Sequence, residues 1–164
     1  MLKYVDAAVT FSEIPDEVTL CLNISNCPCR CPGCHSKYLW EDIGDELTKT
    51  AIQDLMISNR GGITCICFMG GDANPSELVD IATWVKEYYP NIRIAWYSGM
   101  QKPEMYQIFD YIKVGPYVEE LGPLTSKTTN QKLYAKGTIL KKMSAYPNEW
   151  YDITNKFWKH DTDS

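Results

Sequence analysis

Four cysteines fall within eight residues of this chain, at positions 27, 29, 31 and 34. Thiolates bind soft or borderline metals, so thiols at this density indicate a metal site. Cysteines two residues apart would need a strained, very small ring to form a disulfide. The chain has seven cysteines, an odd number, and its N-terminus shows no apolar run followed by a small-residue cleavage site. We therefore expect a reducing, cytoplasmic setting in which the clustered cysteines are ligands or catalysts.

Two kinds of metal site are compatible with this spacing. In the first, all four thiolates bind one Zn²⁺ ion, although structural zinc sites usually take cysteine pairs from two separate segments. In the second, Cys27, Cys31 and Cys34 bind an iron–sulfur cluster and Cys29 points away from it. A cubane has four irons, so three protein ligands leave one iron open to a substrate or cofactor, whereas electron-transfer clusters normally use four cysteines. The second interpretation is favoured because four thiolates from one short loop could hardly close evenly around one ion.

Predicted strands and helices alternate from residue 17 to residue 114. The predicted strands are 17–25, 63–69, 92–97 and 110–114. The first predicted helix covers 46–58 and is ended by Gly61-Gly62. The second is capped by Asn74 and places five residues on one face: Leu78, Ile81, Ala82, Val85 and Tyr88. A short third helix is predicted at 103–109. Residues 133–143 could form a strand or hairpin, and 147–160 are ambiguous. This alternation predicts an α/β fold with a mostly parallel sheet.

Active sites in such folds lie at the carboxyl ends of the strands. The cysteine loop and three later segments each follow a predicted strand. Those segments are Gly70-Gly71-Asp72, Tyr97-Ser98-Gly99 and Val114-Gly115-Pro116. We expect all four to meet at one end of the sheet.

Composition limits the classes of partner. The 164 residues suit a single domain, 1–164, and the net charge of −5 argues against a nucleic-acid binder. No run approaches the roughly 18 apolar residues of a membrane span. These features fit a soluble enzyme or a protein that binds neutral or cationic partners.

The spacing CxxxCxxC after the first predicted strand resembles the signature of the radical S-adenosylmethionine (SAM) enzymes. The resemblance implies a partial (β/α) barrel and a [4Fe–4S] cluster on Cys27, Cys31 and Cys34, whose open iron chelates the amino and carboxylate groups of SAM. Gly70-Gly71-Asp72 is similar to that family's Gly-Gly-Glu-like segment, with Asp in place of Glu.

The same resemblance implies further SAM contacts. The backbones of Gly33 and His35, which flank the third cysteine, should pass close to SAM, as should those of Gly70 and Gly71. Ser98 and Asp72 are candidate polar contacts to SAM, although Asp72 could instead begin the following helix.

A finer resemblance is to the activating proteins of anaerobic ribonucleoside-triphosphate reductase. It is carried by Gly33 before the third cysteine, by Val114-Gly-Pro-Tyr117 with the following Glu-Glu-Leu, and by Thr129-Asn-Gln-Lys-Leu133. It implies that the enzyme installs a glycyl radical on the large reductase subunit, its protein substrate, with a flavodoxin- or ferredoxin-like electron donor. No catalytic acid–base side chain is expected, because the cofactors carry the chemistry. The alternatives are an activase of a pyruvate formate-lyase-like enzyme and a non-enzymatic zinc or iron–sulfur module.

Overall fold

The computed structural model describes residues 1–59, 62–140 and 146–162, with side chains considered up to residue 158. Across these residues the chain forms one eight-stranded sheet with two α-helices. The strands are β1 Lys3–Thr10, β2 Thr19–Ile24, β3 Asp45–Glu46, β4 Cys65–Met69, β5 Arg93–Tyr97, β6 Tyr111–Val114, β7 Lys132–Lys136 and β8 Trp150–Asp152. The helices are α1 Lys49–Ser58 and α2 Pro75–Tyr88, with 3₁₀ segments at Lys37–Trp40, Tyr106–Ile108 and Thr154–Thr162.

The sheet is mixed, with strand order β3-β1-β2-β4-β5-β6-β7-β8. The central strands β2, β4, β5 and β6 pair in parallel, and both flanks are antiparallel. The α/β class is therefore confirmed, but a mostly parallel sheet is wrong, because four of the seven pairings are antiparallel. At the N-terminal flank the reason is chain length: the short connection 11–18 between β1 and β2 allows only an antiparallel return, since a parallel partner needs a crossover of about a dozen residues or more.

The four parallel strands match the predicted strands, whereas β1 was not predicted. Its register against β2 shifts between Tyr4 and Asp6, which marks a bulge or irregularity. A bulge interrupts the period-two alternation that identifies a strand in sequence. β3 was also missed, because two exposed acidic residues carry no apolar pattern.

Helix α2 begins as predicted. The Asn74 side chain accepts a hydrogen bond from the Glu77 amide at 3.2 Å, and Pro75 occupies the first helical position. Leu78, Ile81, Ala82 and Val85 are buried against the sheet, but Tyr88 is exposed and does not join that face.

The other predicted helices are shorter than expected. Helix α1 starts at Lys49 instead of 46 because Asp45–Glu46 pair with β1 and Thr48 caps the helix, accepting from the Ala51 amide at 3.0 Å. It ends at Ser58, and the predicted Gly61-Gly62 terminus lies partly outside the described residues. Of the predicted helix 103–109, only the 3₁₀ segment Tyr106–Ile108 forms.

Each face of the sheet carries a core. The helix face packs Leu20, Leu22, Ile24, Ile66, Phe68, Ile94, Trp96 and Ile112 against α1 and α2. The opposite face, called here the inner face, buries Cys21, Cys65, Cys67, Ala95, Tyr97, Tyr111, Leu133 and Ala135. The three cysteines outside the loop are therefore core residues.

The C-terminal part completes the antiparallel flank. β7 begins one residue before the predicted strand or hairpin 133–143 and otherwise overlaps it, and 141–143 of that range fall outside the described residues. β8 lies within the ambiguous stretch 147–160. No helix in the described part of the chain has the length and apolar character needed to cross a membrane.

Candidate cluster-binding site

A cavity of about 190 Å³ opens at the carboxyl ends of the parallel strands. Its walls come from the cysteine loop and from the residues that end or follow β2, β4, β5 and β6: Asn23, Ile24, Cys27, Cys29, Cys31, Cys34, Ser36, Leu39, Trp40, Met69, Gly70, Asp72, Tyr97, Gly99, Lys113, Tyr117 and Gln131. The expectation that the four post-strand segments meet at one end of the sheet is confirmed.

Backbone hydrogen bonds hold the cysteine loop over this cavity. The amide of Asn26 donates to the Glu41 carbonyl and that of Cys27 to the Leu39 carbonyl, both at 2.9 Å. Asn26 and Arg30 adopt positive φ values of 60° and 45°, which turn the chain sharply. The loop thus bends back on itself, and its four cysteines, all free and partly buried, line one space.

Cys29 lines the same cavity as the other three cysteines of the loop, and its orientation relative to a bound cluster stays a prediction. Its sulfur packs against the loop after β5, where a Cβ added to Gly99 would lie 2.6 Å from it. The Met100 sulfur is 4.0 Å away on the same loop. Burial, followed by the negative charge of Cys27, Asp72 and Cys31, raises the pKa of the Cys29 thiol to about 12. Cys29 is therefore a neutral thiol in the metal-free protein near neutral pH.

The residues present fit a cluster better than a single ion. Within the described residues, no three His, Cys, Asp or Glu side chains are arranged to hold one metal ion. A cubane offers each cysteine its own iron, so its ligands stand further apart than those around one ion. Thiols of Cys27, Cys31 and Cys34 face a common cavity, and the apolar side chains of Ile24, Leu39, Trp40 and Met69 surround them.

Gly70 brings its backbone to the cavity at a place where a side chain is excluded. Its φ is +119°, and an added Cβ would lie 2.9 Å from the Ile24 carbonyl oxygen. The Trp96 indole donates to the Gly70 carbonyl at 2.8 Å and fixes the turn. Gly71 also has a positive φ but packs against Leu78 of α2 and does not line the cavity.

Asp72 and Ser98 form a tie between two loops. One Asp72 carboxylate oxygen accepts from the Ser98 hydroxyl at 2.6 Å, and the other accepts from the Gly99 amide at 2.9 Å. Ser98 is fully buried and its oxygen also accepts from the Met100 amide at 3.0 Å. Of the two, Asp72 lines the cavity and Ser98 does not, so this contact joins the loops after β4 and β5.

Gly33 and His35 lie at the rim, outside the cavity wall. His35 is exposed and meets Tyr117 edge to face, with ring centroids 5.6 Å apart and Nε2 3.4 Å from the Tyr117 hydroxyl. A Cβ on Gly33 would contact the Glu119 side chain. The cysteine loop therefore packs against the segment that follows β6, and the structure joins two motifs that are far apart in sequence.

Lys113 is a cavity residue that sequence reasoning missed. It is only 9% exposed, and its Nζ lies 3.4 Å from the Gly115 carbonyl oxygen and 5.7 Å from the centre of the Tyr97 ring. Burial lowers the pKa of Lys113, while Asp72, Cys31, Cys29 and Cys67 oppose that shift. The available signal was a lysine inside an otherwise apolar strand, because a buried charge needs a partner.

Gln131 was missed as well. It is buried, and its amide nitrogen donates to the Gly115 carbonyl at 3.4 Å. It belongs to the segment 129–133, which carries part of the resemblance to the reductase activating proteins. The sequence did not indicate which residue of that segment would line the site. Gln131 and Lys113 both line the cavity, and both contact the Gly115 carbonyl.

The fold and the cavity together define an α/β protein with a thiolate site at the carboxyl edge of its parallel strands. A family model described as "4Fe-4S single cluster domain" matches residues 17–140, well over half of the chain, so the protein belongs to that family. No curated protein and no solved structure gives a significant match. Membership supports an iron–sulfur cofactor, which agrees with the thiol-lined cavity.

Proposed function

We propose that this protein is a radical SAM activating enzyme that installs a glycyl radical on the large subunit of anaerobic ribonucleoside-triphosphate reductase. The observation that carries the proposal is the shared cavity of the cysteine loop and the ends of three further parallel strands. Four parallel strands with helices on one face are also compatible with a partial barrel of the radical SAM type. The motif resemblances supply the choice of reaction and partner.

Different residues of the cavity would bind the cluster, bind SAM and exclude water. Cys27, Cys31 and Cys34 would hold the cluster, which when bound and reduced supplies one electron that splits SAM into methionine and a 5′-deoxyadenosyl radical able to take hydrogen from a glycine. The open backbone of Gly70 would approach the SAM amino group. Trp40 and Met69 would exclude water from the site, which protects a reactive species from side reactions.

The protein partner is proposed from segments that reach the same cavity. Tyr117, in the segment after β6, and Gln131, in the segment before β7, both line it. These are the two segments that resemble the reductase activating proteins. The large reductase subunit would present its glycine at this opening, and a flavodoxin- or ferredoxin-like donor would reduce the cluster.

Anaerobic reconstitution with iron and sulfide tests the enzyme. The expected result is about four irons per chain and formation of 5′-deoxyadenosine when SAM and a reductant are added. Stoichiometric zinc without SAM cleavage would overturn the proposal.

The partner needs a separate assay. The loaded protein is mixed with SAM and reductant and with either the reductase large subunit or a pyruvate formate-lyase-like enzyme. A glycyl radical signal in electron paramagnetic resonance on the reductase is expected. A signal on the lyase alone would replace the proposed partner and leave the radical SAM assignment standing.

A further inference from the structure

Lys113 places an ammonium group inside the cavity without a carboxylate partner. It extends from β6 on the inner face, beside Tyr97, and is nine-tenths buried. None of the ion pairs in the described part of the chain includes it. Its one hydrogen bond, to the Gly115 carbonyl, is long at 3.4 Å.

A buried ammonium needs negative charge nearby. Asp72 is the one carboxylate among the described residues that line the cavity. Its two oxygens accept hydrogen bonds from Ser98 and Gly99, and it forms no ion pair with Lys113 in the described part of the chain. Three cysteines also face Lys113: Cys29 and Cys31 of the loop and Cys67 of the inner face. Burial raises the pKa of the Cys29 and Cys67 thiols, so these two are neutral in the metal-free protein. A cluster bound by Cys31 and the other loop thiolates would therefore add negative charge beside Lys113, next to that of Asp72.

An iron–sulfur cubane would supply that charge. Its oxidised core carries a charge of two plus, so three thiolates leave one net negative charge, and one-electron reduction leaves two. A fixed cation beside the cluster thus stabilises the reduced form more than the oxidised form. Net charge and solvent exposure are among the factors that set the reduction potentials of such clusters.

We propose that Lys113 is the counter-charge of the cluster, a positioning residue that raises its reduction potential and eases its reduction. This inference rests on one part of the proposed function, namely that a cluster binds in this cavity. It does not depend on SAM cleavage or on the identity of the protein partner.

The test is a redox titration of reconstituted protein without SAM, followed by electron paramagnetic resonance. Lys113→Met removes the charge and keeps an unbranched side chain that is one atom shorter. We expect the ratio of reduced to oxidised cluster at a given potential to fall about tenfold, which is a midpoint lower by about 59 mV for one electron. Lys113→Arg, which keeps the charge, should stay close to the wild-type midpoint.

Lys132→Met is the matched control. Lys132 lies on the neighbouring strand β7, opposite Val114, and is paired with Asp152 at 3.8 Å. Because Leu133 and Ala135 face the inner side, the alternation of β7 directs Lys132 to the other side. Its removal deletes the same charge from the same sheet, and the midpoint should not move.

The outcomes separate the two proposals. A fully loaded Lys113→Met variant with the wild-type midpoint would overturn the role of Lys113 and leave the proposed function intact. A wild-type protein that takes up no cluster would overturn both. If Lys113→Met does not fold, Lys113→Gln, which keeps a donor for the Gly115 carbonyl, carries the same expectation.

Discussion

At the scale of single residues, the four cysteines of the loop share a cavity but have different surroundings. The Cys29 thiol packs against Gly99 and Met100 of another loop. Cys27 and Cys34 are tied into the turns of their own loop, by the Cys27 amide and by a hydrogen bond from the Ser36 amide to the Cys34 sulfur at 3.4 Å. The choice of Cys27, Cys31 and Cys34 as the cluster ligands, with Cys29 left out, remains a prediction from their spacing in the sequence.

Single Cys→Ser variants test that division. Replacement of Cys27, Cys31 or Cys34 should abolish the stable cluster and its SAM cleavage, because a serine hydroxyl is not the soft ligand that iron–sulfur clusters use. Cys29→Ser should keep most of the iron and sulfide, measured after anaerobic reconstitution. Loss of the cluster in Cys29→Ser alone would reverse the assignment.

The raised pKa of Cys29 predicts slow alkylation in the metal-free protein. With a pKa of about 12 instead of about 8.5, far less thiolate is present at pH 8, and the reaction with iodoacetamide should be at least about a hundredfold slower than for free cysteine. The rate should rise with pH up to about 12. Mass spectrometry of the Cys29 peptide after timed anaerobic labelling measures it.

The raised pKa of Cys29 also predicts how the free energy of unfolding changes with pH. The folded chain keeps this thiol protonated where the unfolded chain ionises it, so raising the pH from about 9 towards 12 should lower the free energy of unfolding. Alkylation of Cys29 at the free-cysteine rate in the folded protein, with urea-unfolded protein as reference, would contradict the buried placement.

At the scale of elements, the contact between Asp72 and Ser98 connects the ends of β4 and β5. Neighbouring parallel strands already align these ends, but the loops beyond them leave the ladder. Two hydrogen bonds to one carboxylate hold the loops together beside the cavity. Asp72 and Ser98 were expected to contact SAM, and in this structure their side chains hydrogen-bond to each other and join the two loops.

A double-mutant cycle with Asp72→Ala and Ser98→Ala measures the interaction between the two side chains. We expect a coupling free energy of about 0.5–3 kcal/mol in the metal-free protein, because the residues share a hydrogen bond. Urea unfolding of the two single variants and the double variant provides it. Additive effects, together with weakened SAM binding in Asp72→Ala alone, would instead favour a direct contact of Asp72 with SAM.

At the scale of the whole molecule, the two ends of the parallel strands are built differently. The amino ends meet in a hydrogen-bonded network around Glu17, which is 6% exposed. One carboxylate oxygen accepts from Thr64 at 2.6 Å and from Arg93 at 3.3 Å, and the other accepts from Tyr111 at 2.5 Å. The carboxyl ends carry the cysteine-lined cavity. A second cavity of about 170 Å³ lies beside Glu17 at the amino ends, and none of the described cysteines lines it.

Glu17→Ala should therefore destabilise the fold without affecting the cluster site. Removing this carboxylate leaves buried donors without a partner, and hydrogen bonds to charged groups contribute about 1.5–3 kcal/mol each. We expect the free energy of unfolding in urea to fall by about 2–3 kcal/mol, with iron content after reconstitution unchanged.

Asp16→Ala is the control for this change. Asp16 is the neighbouring carboxylate, but it is exposed and pairs with Lys156 at the surface, 3.1 Å away. Exposed ion pairs contribute about 0–1 kcal/mol, so its loss should matter little. Equal effects of the two substitutions would show that the network around Glu17 does not hold the strands.

The cysteine loop, strands β2, β4, β5 and β6 and the start of α2 could all be predicted from sequence, because each is encoded locally. Residue spacing sets which thiols can act together, continuous apolar runs mark buried strands, and Asn74 with Pro75 marks a helix start. The meeting of the loops then follows from the parallel order, since carboxyl ends of parallel strands share an edge.

Other features could be seen only in the tertiary structure, because they depend on residues that are distant in the chain. The antiparallel flanks, the position of Cys29 against Gly99, the tie between Asp72 and Ser98, and the burial of Lys113 beside Tyr97 all arise from strand pairing and loop packing. Residue type alone does not reveal them, because a lysine or an aspartate takes its role from the charges and donors that folding places beside it. The sequence by itself indicated an iron–sulfur site in the cysteine loop, and folding placed Lys113 and the cavity walls around that loop.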